Sequence, residues 1–223
     1  MKPEIFESEQ GSEEWLRQRM GIPTASEFHT VMAKGKDGGV SVTRRLYMLK
    51  LAGEVLTGEP MSGNYTDSNM ERGKLLEDEA RDFYAFTTNA PLLRVGFIRA
   101  GNAGCSPDAL VGEDCGLEIK CVLPQTQIDR LLRGVLPPEH KAQVQGNMWI
   151  ANRRAWDFVS YCPRLPLFVT RVERDDGFIA TLAGAVANFN ADLAAIVDRI
   201  NGYGKPSNLL EQLRASVSLE ARP

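Results

Sequence analysis

Residues 104–121 read GCSPDALVGEDCGLEIKC, and the placing of two carboxylates and a lysine within them decides the fold. Side chains alternate across a strand. In a strand from Leu117 to Val122, Glu118 and Lys120 therefore project to one face, and Leu117, Ile119 and Cys121 to the other. Between this strand and Asp108, the segment VGEDCG sets glycines around an acidic pair, which is turn chemistry, so an antiparallel hairpin is predicted. The hairpin brings Asp108, in the turn after Pro107, beside Glu118. Two converging carboxylates bind a hard cation such as Mg2+ or Mn2+, and the neighbouring ammonium can orient a water or offset charge on a phosphate. Phosphodiester hydrolysis needs those parts. On this spacing alone, an ordinary exposed Glu–Lys strand face remains the commoner meaning of such a match.

The composition narrows the setting. A chain of 223 residues, 43% hydrophobic and 25% charged, can build one sizeable core and does not require two domains. No apolar run approaches the ~20 residues that span a bilayer. The N-terminal MKPEIFESEQ lacks the apolar block of a secretion signal, so a cytoplasmic protein without membrane contact is expected. Cys105, Cys115, Cys121 and Cys162 show neither C-x-x-C spacing nor a histidine cluster, which argues against zinc and suits buried thiols. The net charge of −3 argues against nonspecific coating of nucleic acid, yet local cations can still attract phosphates. Arg17 with Arg19, Lys34 with Lys36, Arg44 with Arg45, and Arg153 with Arg154 are the candidate pairs; solvated faces are the plain alternative.

Around the hairpin the chain punctuates itself clearly. A short helix is predicted over 12–19, capped by Ser12 and ended by Gly21. Thr24-Ala25-Ser26-Glu27 fits a capping box opening a second helix to about Ala33, whose N-terminus, with Ser26 and nearby Arg19, is a candidate anion site. Helical spacing over 41–57 puts Leu46, Leu49, Ala52, Val55 and Leu56 on the core face. A long helix over about 69–86 has a core stripe of Leu76, Ala80, Phe83 and Tyr84. Glu77 lies at the margin of that stripe, and spacing favours solvent for it. Residues 92–98 read as a strand and 124–133 as a short helix. Pro138 opens a helix over 139–151 carrying Gln143 and Gln145, either of which could bridge a carboxylate and a water. Strands over 155–162 and 167–174 and a helix over 177–200 complete an α/β (α+β) pattern, a mixed central sheet flanked by helices.

Taken together, WLRQRMGIPTASE, ERGKLLEDEARDFYAF, CSPDAL, LEIKC and AQVQGNMWI resemble, in one order from about Glu9 to Arg174, the lambda-exonuclease or YqaJ-like viral recombinase family. That family is a branch of the restriction-endonuclease-like PD-(D/E)xK nucleases. The resemblance implies a single exonuclease domain over residues 1–204, with its core at about 67–175, and a C-terminal tail over 205–223. It implies Asp108 and Glu118 as metal ligands assisted by the backbone carbonyl of Ile119, and Lys120 positioning the attacking water. It adds Glu77, against the reading from spacing, and Gln143. Arg19, Ser26 and Ser106 match a 5′-phosphate pocket, and Met70 a wedge that parts the strands. The activity implied is Mg2+-dependent 5′-to-3′ digestion of linear double-stranded DNA, with Mn2+ able to substitute. The product would be mononucleotides and a 3′ overhang.

The same resemblance implies a homotrimeric ring, a single-strand annealing protein as partner, and a phage or prophage origin within a bacterial host. One position departs from it: relatives carry an acid where LLRVGFI places Ile98, which leaves one or two metals open. No cysteine precedes Cys105, so no iron-sulfur cluster is expected. An endonuclease on the same core and a non-catalytic DNA-end-binding recombination protein are the alternatives.

Overall fold

The computed structural model describes residues 2–35, 38–61 and 68–203, with the backbone alone for 68–74. Its elements in chain order are β1 (Glu4–Phe6), α1 (Glu13–Gln18), α2 (Phe28–Met32), α3 (Val42–Thr57), α4 (Ser68–Thr88), β2 (Leu92–Leu93), β3 (Phe97–Ala100), β4 (Ala103–Cys105), β5 (Ala109–Val111), β6 (Cys115–Cys121), α5 (Pro124–Arg133), α6 (Lys141–Ala151), β7 (Ala155–Tyr161), β8 (Phe168–Glu173) and α7 (Asp176–Asn201). Short 3-10 turns precede α2, at Ala25–Glu27, and α6, at Pro138–His140.

The antiparallel hairpin forms, with Ala109 opposite Leu117 and Val111 opposite Cys115. It is the centre of a five-stranded sheet of order β2-β5-β6-β7-β8, in which β6 and β7 run parallel and the other pairs antiparallel. Parallel neighbours need a long crossover, and α5 with α6 supplies it. Leu117 and Ile119 turn to one face and pack with Val159 and with Ala80 and Tyr84 of α4. On the other face, Trp156 and Phe158 join Val144 and Met148 of α6 in the larger core. Each large side chain so buried contributes about 1.5–3 kcal/mol. With α6 laid over it, the Glu118–Lys120 face of β6 is covered, and Glu118 is only 2% exposed.

Several expectations are corrected. The strand predicted over 92–98 is divided: Leu92–Leu93 pairs with β5, whereas Phe97–Ala100 belongs to a separate antiparallel sheet, β1-β3-β4. Strand β1 has three residues, too few to show a period, and exists through its pairing with β3. A Cβ on Gly96 would meet the carbonyl oxygen of Ser8 at 1.9 Å, so glycine is what lets the N-terminal segment cross there. The capping box does not form. Thr24 makes no side-chain cap, and its hydroxyl instead faces Arg19 and Ser26. Helix α3 buries Met48, Leu51, Ala52 and Glu54, leaving Leu46 (61% exposed), Leu49 and Val55 outside, because α3 packs on α7 through the neighbouring face. Phe83, expected in the core stripe of α4, is also exposed. Helix α7, at 26 residues, is long and apolar enough to cross a membrane by length and composition alone. Its Ile179, Leu182, Val186, Phe189 and Leu193 recur every three or four residues and are buried beside α2, α3 and α6. Met70's side chain, Lys36 and the tail over 205–223 lie outside the described residues.

Candidate active site

Asp108 ends the turn that leads into β5. Its N–H donates to the carbonyl of Leu117 (3.2 Å), and its Oδ2 accepts from the Ile119 N–H (2.5 Å). The hairpin therefore seats Asp108 against the strand that carries Glu118. Glu118 Oε1 lies 2.6 Å from Lys120 Nζ and accepts from Gln143 Nε2, also at 2.6 Å. Its Oε2 accepts from Asn147 Nδ2 at 3.0 Å. Gln143 and Asn147 stand one turn apart on α6, which makes that helix the second wall of the site. Gln145 turns elsewhere, donating to the Glu173 carbonyl and accepting from the Asp175 N–H.

The third wall is α4. Glu77 is half-buried and held by Arg81, which also pairs with Asp78 and donates from Nε to the Asp108 carbonyl at 3.2 Å. Glu77 thus stands near Asp108, half-buried and not fully in the solvent that its spacing favoured. A cleft of about 590 Å³ opens between α4 and the N-terminal segment, lined among others by Glu9, Gln10, Trp15, Glu77, Arg81 and Asp108. Gln10 pins that segment down, its Nε2 donating to the carbonyls of Pro107 (2.9 Å) and Val95 (3.2 Å).

Burial, and then the charges of Glu118 and Glu77, push the Asp108 carboxyl well above the usual carboxylate range, against the opposing effect of Lys120. Burial works to lower Lys120, but the carboxylates of Glu118 and Asp108 outweigh it and the net direction is upward. Beside Lys120 across β7 stands Ser160, its register partner. The Ser160 hydroxyl accepts from Arg130 (3.0 Å), and Arg130 donates to His140 Nε2 (2.9 Å). Burial and the cations Lys120 and Arg130 hold His140 down to about 4, so it is neutral and accepts.

The residues matched to a phosphate pocket are connected by contact. Trp15 Nε1 donates to Ser106 Oγ (2.9 Å), the Arg19 guanidinium lies 4.1 Å over the Trp15 ring, Arg19 donates to Thr24 Oγ1 (3.2 Å), and Thr24 Oγ1 is 3.3 Å from Ser26 Oγ. Gly146 lets α6 lie against the 24–28 segment, since a Cβ there would meet the Phe28 ring at 2.3 Å. Among the described residues of the other basic pairs, Arg17, Arg44, Arg153 and Arg154 have partners away from the site. Arg17 pairs with Glu13, Arg44 with Asp192 and Arg154 with Asp114, while Arg153 donates to the carbonyls of Gly112 and Cys115.

Sequence reading missed Trp15, Thr24, Arg81 and Asn147 as members of the site. Trp15 stands one turn before Arg19, Arg81 one turn after Glu77 and Asn147 one turn after Gln143, so helical spacing carried a signal for three of them.

Among the described residues no three Asp, Glu, His or Cys side chains cluster as a metal site. A hard cation nonetheless fits the pair. Asp108 is close enough to Glu118 for the Glu118 charge to raise the cost of its own, and the donors of both are oxygens. The nearby Cys105 is fully buried, and burial with the Glu118 charge drives its thiol upward, so it offers no thiolate.

A mixed sheet whose hairpin seats Asp108, Glu118 and Lys120 beneath a helical cover defines the restriction-endonuclease-like class. The YqaJ-like viral recombinase domain matches residues 14–154, and the chain belongs to that family. It is similar to the alkaline exonuclease LHK-Exo from Laribacter hongkongensis, at 36% identity and TM-score 0.78, over 85% of this chain and 96% of that one. The complex of LHK-Exo with dAMP is similar at 37% identity and TM-score 0.77, over the same shares. A phage-related exonuclease from Haemophilus somnus 129PT shares the fold at 15% identity and TM-score 0.60, over 80% of this chain and 96% of that one. No curated protein matches the chain.

Proposed function

We propose that the chain is a divalent-metal-dependent exodeoxyribonuclease that digests one strand of linear duplex DNA from a 5′-phosphorylated end, releasing mononucleotides and leaving a 3′ overhang. One observation carries the reading: Ser106, joined through Trp15 to Arg19, stands two residues before Asp108. One member of the end anchor and one of the cation-binding pair on one turn suit an enzyme that measures from the end it cuts. Family membership and the similarity to LHK-Exo support it, as does the dAMP bound by that relative.

Asp108 and Glu118, with the Ile119 carbonyl, would hold Mg2+, or Mn2+ in its place. When bound, such a cation supplies Lewis acidity and lowers the pKa of water. Lys120 orients the attacking water, and Gln143 fixes the carboxylate that Lys120 touches. Glu77 adds negative charge that favours a cation over an empty site. Arg19, Ser26 and Ser106 grip the terminal phosphate. Water attacks phosphorus, a P–O bond forms, and the bond to the 3′ oxygen of the terminal nucleotide breaks, that oxygen leaving with a proton. The next nucleotide keeps the phosphate as its new 5′ end, so each cut regenerates the group the anchor recognises. A homotrimeric ring threaded by DNA, a strand-parting role for Met70 and a single-strand annealing partner belong to the same proposal.

The test uses 5′-phosphoryl linear, 5′-hydroxyl linear and covalently closed circular duplexes in Mg2+, with Lys120→Ala as control. Release of mononucleotides from the phosphorylated linear substrate by wild type alone is expected. Cutting of the circle would identify an endonuclease. End binding without any cleavage would identify a non-catalytic protein.

A further inference from the structure

We propose that Asn147 is a positioning residue for Glu118: its amide fixes the plane of the carboxylate against Lys120 and Gln143 and so determines the affinity of the site for its cation. The inference rests on the reading of Asp108 and Glu118 as a cation-binding pair and adds a residue that reading does not contain.

Glu118 and Asn147 are 2% and 1% exposed, so their 3.0 Å hydrogen bond has no competition from water. The terminal torsion of a glutamate is broad, so backbone and packing alone do not fix the plane of the carboxylate. Asn147 does, by tying Oε2 and leaving Oε1 to Lys120 and Gln143, each at 2.6 Å. Asp108 is treated in the same way, its Oδ2 tied by the Ile119 N–H. Both tethers are neutral donors. A neutral amide orients a carboxylate without cancelling its charge, whereas a cation in that place would compete with the metal. The position of the tether also matters. Asn147 lies on α6, the helix that carries Gln143 and, through Gly146, packs on Phe28 beside Ser26. One rigid element thus sets the oxygen geometry and abuts the anchor segment.

Partners that orient a ligand commonly change metal affinity about tenfold to a hundredfold when removed. The experiment titrates Mn2+ by electron paramagnetic resonance into wild type, Asn147→Leu and Asn147→Ser, alongside binding of 5′-phosphorylated duplex without divalent ions. Thermal melting confirms that each variant is folded. Asn147→Leu, similar in size but without a donor, is expected to weaken Mn2+ about tenfold to a hundredfold and leave DNA-end binding within about twofold. Asn147→Ser, which keeps a hydroxyl donor, is expected to recover part of that loss. Unchanged Mn2+ affinity in a folded Asn147→Leu protein would overturn the proposal, as would equal loss in the two variants accompanied by loss of end binding. Wild type that binds Mn2+ but cuts no DNA would defeat the nuclease reading and leave this one standing. Wild type that binds no Mn2+ would defeat both.

Discussion

Trp15 donates its indole N–H to the hydroxyl of Ser106 at 2.9 Å while its ring carries the guanidinium of Arg19 at 4.1 Å, so one side chain joins the start of the chain to the turn that ends in Asp108. Trp15→Phe keeps a ring beneath Arg19 and removes the N–H. A neutral hydrogen bond contributes about 1 kcal/mol, so the ratio of kcat/KM for 5′-phosphoryl over 5′-hydroxyl ends should fall roughly fivefold. An unchanged ratio would show that Ser106 needs no such partner.

Arg19→Ala removes the charge of the anchor. Hydrogen bonds to ionised groups are worth about 1.5–3 kcal/mol, so the preference for 5′-phosphate should drop by one to two orders of magnitude. Mn2+ affinity should stay the same, because Arg19 touches Trp15 and Thr24 and neither carboxylate of the cation pair. Calorimetric titration of Mn2+ checks the second half.

Arg81 spans Glu77, Asp78 and the Asp108 carbonyl with one planar fork. Lysine offers a point charge that cannot reach all three at once, so Arg81→Lys should lower kcat/KM about tenfold even though the charge is kept. A variant as active as wild type would reduce Arg81 to a surface counter-ion for α4.

His140 supplies a pH test of the network behind Lys120. Its folded value of about 4 lies below the unfolded value of about 6.5, so between them the unfolded chain binds more protons and stability rises with pH. The contribution is fully present above about 6.5 and is lost as pH falls towards 4. Partial burial limits it to the order of 1–3 kcal/mol. Urea unfolding at pH 7.5 and pH 5 should show the loss in wild type. His140→Gln, which keeps an acceptor for Arg130 and does not titrate, should show a smaller difference between the two pH values.

The local arrangement was legible in the sequence wherever a short-range rule governs it. Period-two alternation in LEIKC, turn residues in VGEDCG and Gly or Pro at helix ends place β6, its hairpin and helices α3 to α7 to within a few residues. Those features depend on neighbours along the chain, and the sequence lists the neighbours. The two sheets were another matter. Nothing in LLRVGFI says that its halves join different sheets, because the division is made by β1, some ninety residues earlier, and by the room that Gly96 leaves for Ser8.

The candidate site divides along the same line. By itself the sequence determined that Asp108 and Glu118 share a hairpin and that Lys120 projects with Glu118, since strand geometry leaves no other arrangement. Tertiary structure alone decided that Glu118 is buried beneath α6 and that Glu77 reaches the cleft through Arg81. It also decided that Thr24 serves Arg19 and Ser26 in place of a helix cap. The cover over Glu118 joins it to side chains 25 and 29 residues away, and each of these is a contact whose partner is chosen by packing. Its free energy depends on burial and on a donor meeting an acceptor at hydrogen-bond distance, and packing creates both.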